Sequence, residues 1–248
     1  MKKIIPIFIS VFTFLLGWHL FTLYSDIPNF ILPSPLSVWT RFLKAVKDGS
    51  LPYHTGVTLL EIVLGLIVGV LFATVVGYIL AKSRSLEKVL SPYLVASQAI
   101  PVIAIAPLLV IWLGNGILSK VVICALIVFF PVLVNTIVGV RAVPTALYDL
   151  MGSLHASRSQ ILCKVEVPAS LPVFLGGLRI GATLSVIGAI VGELVSADQG
   201  LGFLLQLGDF QYDTPMVFVA VFMLIALALM LYGIVRLLEN RFLKWQNK

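Results

Sequence analysis

Six stretches of this 248-residue chain each run for about twenty residues with almost no charge, the length an α-helix needs to cross the hydrocarbon core of a bilayer. They cover Ile4–Tyr24, Val57–Ala81, Tyr93–Leu113, Ile117–Val140, Val173–Val195 and Pro215–Leu238. Together they take up about half the chain and leave little room for a separate soluble domain. The expectation is an all-α integral membrane protein with six transmembrane helices in a single domain over residues 1–248. Composition agrees: 60% of residues are apolar and 11% charged, against about 45–50% and about 25% in soluble domains. A soluble chain of this size could not hide so much apolar surface. A soluble globular enzyme and a disordered chain are both excluded.

The formal net charge of +6 does not call for nucleic acid, because Lys and Arg accumulate in the cytoplasmic loops of membrane proteins. With the N-terminus inside, the outer segments hold only Arg41, Lys44, Lys47 and Lys120. The inner ones hold Lys2, Lys3, Lys82, Arg84, Lys88, Arg141, Arg158, Lys164, Arg236, Arg241, Lys244 and Lys248. Both termini are therefore expected in the cytoplasm. The segment Ser196–Thr214, with Asp198, Asp209 and Asp213 and no cation, fits an outer loop. The first span is longer than a signal-peptide core and has no A-x-A-like cleavage site after it, so it reads as a retained helix. Cys124 and Cys163 have no metal-ligand spacing and imply no disulfide framework.

Between the first two spans, Trp39, Phe42, Leu43 and Val46 recur at helical spacing while Arg41, Lys44 and Lys47 point elsewhere. This predicts an amphipathic helix over 36–48, opened by Pro33-Ser34-Pro35 and closed near Gly49. It either lies along the outer membrane face or packs on the bundle. Small residues recur every four positions in two spans: Gly65, Gly69, Ala73 and Gly77, then Gly177, Gly181, Ser185 and Ala189. Such ridges let helix backbones approach closely, as ordinary packing or as a seam at a pore or between subunits.

Polarity interrupts the spans at a few places. Pro101 and Pro107 fall in the third span and Pro131 in the fourth, each removing a backbone donor. Gln98 lies one turn before Pro101, and Asn135 one turn after Pro131. Broken helices with amides beside them point to a translocation path, although kinked structural helices would read the same way. Glu61, Arg179 and Glu193 are ionisable residues within spans and should face the bundle interior or water. Arg179 and Glu193 are about 21 Å apart along a straight helix, too far to pair. Glu61 and Glu193 lie near outer span ends, where they reach the interface, form a gate or make a structural pair.

The inner loop 141–172 carries the most information. Pro144 suits a helix start, and Pro168 and Pro172 should stop one. Between them Leu147, Leu150, Met151, Leu154 and Ile161 form an apolar stripe, and a short amphipathic helix outside the membrane needs something to receive it. A soluble partner protein is the sharp reading. The loop resembles the EAA loop of permease subunits of bacterial ABC importers, E-A-A-x3-G-x9-I-x-L-P. Asp149-Leu150-Met151 stands in the E-A-A places, His155 in the glycine place, and Val165, Val167 and Pro168 in the I-x-L-P places. Leu32-Pro33-Ser34-Pro35, the run from Phe129 to Thr136 and Gly192-Glu193 through Gly200-Leu201-Gly202 resemble one subfamily. That subfamily serves nitrate, sulfonate and taurine uptake and also vitamin-related solutes such as the thiamine pyrimidine precursor and riboflavin. The run from Leu184 to Glu193 leans toward the vitamin branch.

The resemblance implies the type I ABC-importer permease fold in the bacterial inner membrane. It also implies a non-catalytic subunit working with a second permease copy, cytoplasmic ABC ATPase subunits and an extracytoplasmic solute-binding protein. ATP and Mg would belong to the ATPase, and this chain would hold no cofactor or metal. Asp149, Leu150, Met151, His155, Arg158, Val165, Val167 and Pro168 would then form the coupling loop. Gln98, Asn135, Glu61, Arg179 and Glu193 are candidates for the translocation path or gate. The chain has no G-x4-G-K-[ST] phosphate loop. Histidine in the glycine place should remove conformational freedom wherever the backbone needs a positive φ. A gradient-driven secondary transporter is the alternative, but no repeat relates the two halves. An enzyme is disfavoured because His19, His54 and His155 are dispersed and neither H-E-x-x-H nor G-x-S-x-G occurs.

Overall fold

A computed structural model describes residues 4–25, 27–196 and 198–244, and every regular element among them is a helix. These are α1 (Ile4–Tyr24), α2 (Pro35–Lys47), α3 (Ser50–Lys82), α4 (Arg84–Gln98), α5 (Val102–Leu113) and α6 (Ile117–Arg141). There follow α7 (Thr145–Ser153), α8 (Arg158–Ile161), α9 (Val167–Val195), α10 (Leu201–Phe210) and α11 (Thr214–Phe242), with a π-helical turn, Leu162–Glu166, joining α8 to α9. Lys2, Lys3 and Lys248, used above for orientation, lie outside the described residues.

Four stretches are long and apolar enough to span a membrane: α3, α6, the continuous run Arg158–Val195 and α11. A fifth exists if α4 and α5 count as one span, although they meet at 93°. In α1 the apolar stretch Ile9–Tyr24 is shorter than these, so four or five such spans are found among the described residues, where six were expected. The third span, Tyr93–Leu113, is the one that breaks. Pro101 cannot donate to a preceding turn and disfavours helical backbone at the residue before it. α4 accordingly ends at Gln98, and Pro101 takes an extended conformation as the N-cap of α5. Pro107 and Pro131, by contrast, lie inside unbroken helices. Pro168 and Pro172 do not stop a helix either. Pro168 follows directly on the π-helical turn Leu162–Glu166, and the helix runs on through both prolines.

The chain divides into two compact units, Met1–Thr58 with Asp198–Ile225 and Leu59–Ala197 with Ala226–Lys248. In the second unit α6 is the central helix. A Cβ added at Gly65 would run into Cys124, one at Gly69 would lie 2.8 Å from the Ala125 carbonyl oxygen, and one at Gly77 would lie 2.9 Å from Thr136 Cβ. From α9, a Cβ at Gly177 would come within 2.5 Å of Asn135 Cβ, and one at Gly188 within 2.7 Å of Cys124 Cα. Both small-residue ridges are thus used inside the chain, one on each side of α6, as ordinary packing. Ala73, Leu80, Val128, Val132 and Leu133 form the adjoining apolar core.

In the first unit, Ser34 caps α2 by accepting the Ser37 N–H at 3.2 Å. Val38 and Ala45 are the buried face of α2, while Trp39, Leu43 and Val46 of the expected apolar stripe stay exposed. Arg41 pairs with Asp213 at 2.6 Å, and Asp213 also accepts the Met216 N–H in the first turn of α11. The acidic segment Ser196–Thr214, expected as loop, contains α10. Two side chains of α3 hold its start: His54 Nδ1 accepts the Gly200 N–H at 3.0 Å, and Thr58 Oγ accepts the Leu201 N–H at 2.8 Å.

Gly188→Ala should force α9 away from the α6 backbone and lower the thermal midpoint of the purified protein. Gly233→Ala, with nothing within 4 Å of the added carbon, should leave it unchanged or raise it, since alanine gains about 1 kcal/mol of helix propensity over glycine. Thermal unfolding in detergent or nanodiscs compares the two, and equal midpoints would remove the packing argument.

Candidate functional site

The loop between α6 and α9 is not the single helix expected from Leu147 to Ile161. α7 ends at Ser153, and the chain then closes a Schellman turn. The His155 N–H donates to the Gly152 carbonyl at 3.0 Å, and the Ala156 N–H to the Met151 carbonyl at 3.0 Å. His155 occupies the left-handed position of this turn with φ of 50°. Histidine thus stands in the left-handed backbone region that favours glycine, at some cost in strain. Ser157 starts α8 with a capping box, its hydroxyl accepting the Gln160 N–H while Gln160 Oε1 accepts the Ser157 N–H at 2.8 Å. The π-helical turn then leads directly into α9.

Along this loop Asp149 and Arg158 are exposed, as is His155. Leu147, Leu150 and Leu154 are also exposed, Leu150 at 55% and Leu154 at 67%, while Met151 is half-buried. No residue of α7 is buried. Val165 is buried, Val167 exposed and Pro168 half-buried.

Beneath the loop lies a polar network that sequence reasoning did not find. Glu166, the last residue of the π turn, is ion-paired with Lys82 and accepts a hydrogen bond from Tyr78 Oη at 2.9 Å. The Lys82 ammonium also lies 5.3 Å from the ring centre of Tyr148 on α7. Burial, and then the Glu166 carboxylate, raise the Tyr148 phenol above its usual range, so it stays protonated. Arg141 closes the end of α3 by donating to the Leu80 carbonyl at 3.2 Å and the Ala81 carbonyl at 3.4 Å. Its Nη1 also donates to Glu87 at 2.8 Å.

The five candidates for a path or gate occupy four separate settings. Glu61 and Glu193 come together: their carboxyls are within hydrogen-bonding reach, with the Lys120 ammonium close by. All three are buried, at 4%, 0% and 2% exposure. Lys120, counted above among the outer charges and within the fourth span, lies in the first turn of α6 and is buried, its ammonium donating to the Asn115 carbonyl. The two carboxyls are thus enclosed within the chain beside a buried ammonium of opposite sign. Arg179 pairs with Glu239 of α11 and lies 5.6 Å from the Tyr232 ring centre. Gln98 lines a groove of about 500 Å³ with Glu87 and Arg141. Asn135 packs against Gly177 and donates to the Pro131 carbonyl at 2.8 Å.

Residues 65–244 match the family described as binding-protein-dependent transport system inner membrane component. The chain belongs to this family. It is 42% identical to the riboflavin transport system permease protein RibX of Chloroflexus aurantiacus, over 96% of this chain and 89% of RibX. It is 36% identical to the formylaminopyrimidine transport permease protein ThiX of Halalkalibacterium halodurans, over 88% and 87%. Its fold is that of a chain in the MetNI methionine ABC transporter solved in inward-facing conformations, with a TM-score of 0.54, 21% identity, and coverage of 79% of this chain and 95% of that one. It is an all-α membrane permease of the ABC transporter class.

In this permease the loop pattern now has a physical reading. The E-A-A places fall on the last turn of α7, the glycine place on the left-handed C′ position, and the final proline on the first turn of α9. His155→Gly should keep the Schellman turn and protect the Ala156 amide at least as well as the parent. His155→Val should expose it, because a β-branched side chain tolerates the left-handed region poorly, at a cost of about 1–2 kcal/mol. Amide hydrogen exchange at Ala156 reads the difference. Lys120→Met should destabilise the bundle by about 3 kcal/mol by leaving buried carboxyls without their cation, seen as a lower thermal midpoint. An unchanged midpoint would mean the three groups do not interact.

Proposed function

We propose that this chain is the permease subunit of an ATP-driven bacterial importer, forming the translocation path for a small organic solute. One observation carries the reading. The loop between α6 and α9 keeps the EAA spacing and presents Leu147 and Leu150, on a helix with no buried residue, and Leu154, just after it, to solvent. An apolar stripe outside the membrane is stable only when a partner covers it, and a cytoplasmic ATPase subunit is the partner such a permease requires. ATP and Mg bind that subunit, and closure of the ATPases moves α7. A second copy of the permease completes the path, and an extracytoplasmic binding protein delivers the solute. Both termini lie in the cytoplasm of an inner membrane, with the cation-rich Lys82, Arg84, Lys88, Arg141, Arg158 and Lys164 on that side.

For the solute we favour a flat, neutral heterocycle of the vitamin class. Two relatives at 42% and 36% identity carry the names of riboflavin and formylaminopyrimidine permeases. The cationic groups within the spans, Lys120 and Arg179, are both paired with or beside carboxylates, which leaves little to hold an oxyanion.

A C-terminally tagged chain extracted gently from native membranes should co-purify with an ATPase subunit. Charge reversal at both Asp149 and Arg158 should weaken that capture. In proteoliposomes of the whole assembly, labelled riboflavin or formylaminopyrimidine should be taken up with ATP, and taurine and nitrate should not. Uptake of taurine alone would overturn the choice of solute, and uptake driven by an ion gradient without ATP would overturn the importer reading itself.

A further inference from the structure

Glu166 sits where three segments meet. It ends the π-helical turn Leu162–Glu166 at the head of α9, pairs with Lys82 at the last residue of α3, and through that ammonium reaches Tyr148 on α7. Its side chain is 3% exposed, so its charge is held by these partners rather than by water. The π turn helps to aim it. An extra residue per turn rotates the side chains that follow, and single π turns recur at functional places in helices. Tyr78, one turn before Lys82, donates to the other carboxylate oxygen, which fixes the carboxylate in plane and position. A cavity of about 390 Å³, lined in part by Thr74, Tyr78, Thr136, Glu166, Ser170 and Phe174, borders the network.

α7 needs such an anchor. It is nine residues long and buries none of them, and a helix that short does not hold itself in water. It is joined to α6 through Ala142–Pro144 and to α8 through the His155 turn, while Tyr148 meets the cation fixed by Glu166.

We propose that Glu166 is a positioning residue that, through Lys82, holds α7 to the ends of α3 and α9, so that displacement of α7 is passed into both membrane helices. This rests on the reading of α7 as the ATPase-docking helix. Glu166 touches neither nucleotide nor solute. Its role is to make the loop a lever instead of a tether.

The full chain in nanodiscs tests the link by hydrogen exchange. Glu166→Gln should speed exchange across Thr145–Glu166 by about tenfold, the loss of one charge-assisted contact, while α6 keeps its protection. Lys82→Met should do the same, Lys82→Arg should restore the parent pattern, and the Lys82→Met/Glu166→Gln double variant should be no faster than either single one. Unchanged exchange in Glu166→Gln, multiplied effects in the double variant, or equal loss of protection in α6 would each overturn the proposal. The second arm uses the assembly with its ATPase, trapped with ATP and orthovanadate. Trapping should alter exchange in α7 and in the last two turns of α3 in the parent, and in α7 alone in Glu166→Gln. An identical spread in both would also overturn the proposal. If no ATPase accompanies the parent chain, the functional reading fails, and exchange in the isolated chain still decides whether Glu166 holds α7.

Discussion

Backbone contact between α6 and the glycine-bearing faces of α3 and α9 is the constraint on which the larger unit depends. Lipid tails are as apolar as the side chains they touch, so helices in a bilayer gain little from burying apolar surface against each other. They associate through close packing and interhelical polar contacts. Removing the Cβ at Gly65, Gly69 and Gly77 on one side, and at Gly177 and Gly188 on the other, brings main-chain atoms near enough for dispersion to add up. The positions of polar groups follow from that approach. Cys124 is enclosed between Gly65 and Gly188, Lys120 lies along Gly192, and Asn135 is seated on Gly177.

Charges enter such a bundle only in company. Glu61 and Glu193 share their surroundings with Lys120, Arg179 has Glu239 and Tyr232, and Glu166 has Lys82 and Tyr78. Each set joins helices far apart in the chain: Lys82 and Glu166 are 84 residues from one another. These links place the polar ends of α3 and α9 beside the loop that leaves the membrane region. The loop in turn is shaped by local chemistry, a Schellman turn at His155 and a capping box at Ser157.

Some of this was legible in the residues. Every-four spacing of small side chains marked the two faces that pack closely, and the structure shows both faces meeting α6. Pro101, Pro107 and Pro131 looked alike in the sequence, and a span breaks only at Pro101. The spacing from Asp149 to Pro168 marked the loop and the family. Other features left no readable trace. α10 is short, lies in an acidic segment and owes its start to His54 and Thr58 of α3, so no local pattern announced it. Pro131, Pro168 and Pro172 looked like breaks, but the helices run on through all three. Glu166 read as an anonymous place between Val165 and Val167, and Lys82 as one more inner-face cation.

By itself the sequence determined the solvent, the class of fold, the packing faces and the family, because each is written in composition or in spacing along one helix. Helical periodicity and apolar length are properties of consecutive residues, and they survive without any knowledge of neighbours. Tertiary structure alone decided which charges meet, that Lys120 is buried, where the stripe on α2 points and how α7 is held. Those depend on distances between segments separated by scores of residues, and one helix carries no record of which neighbour its polar side chains will find.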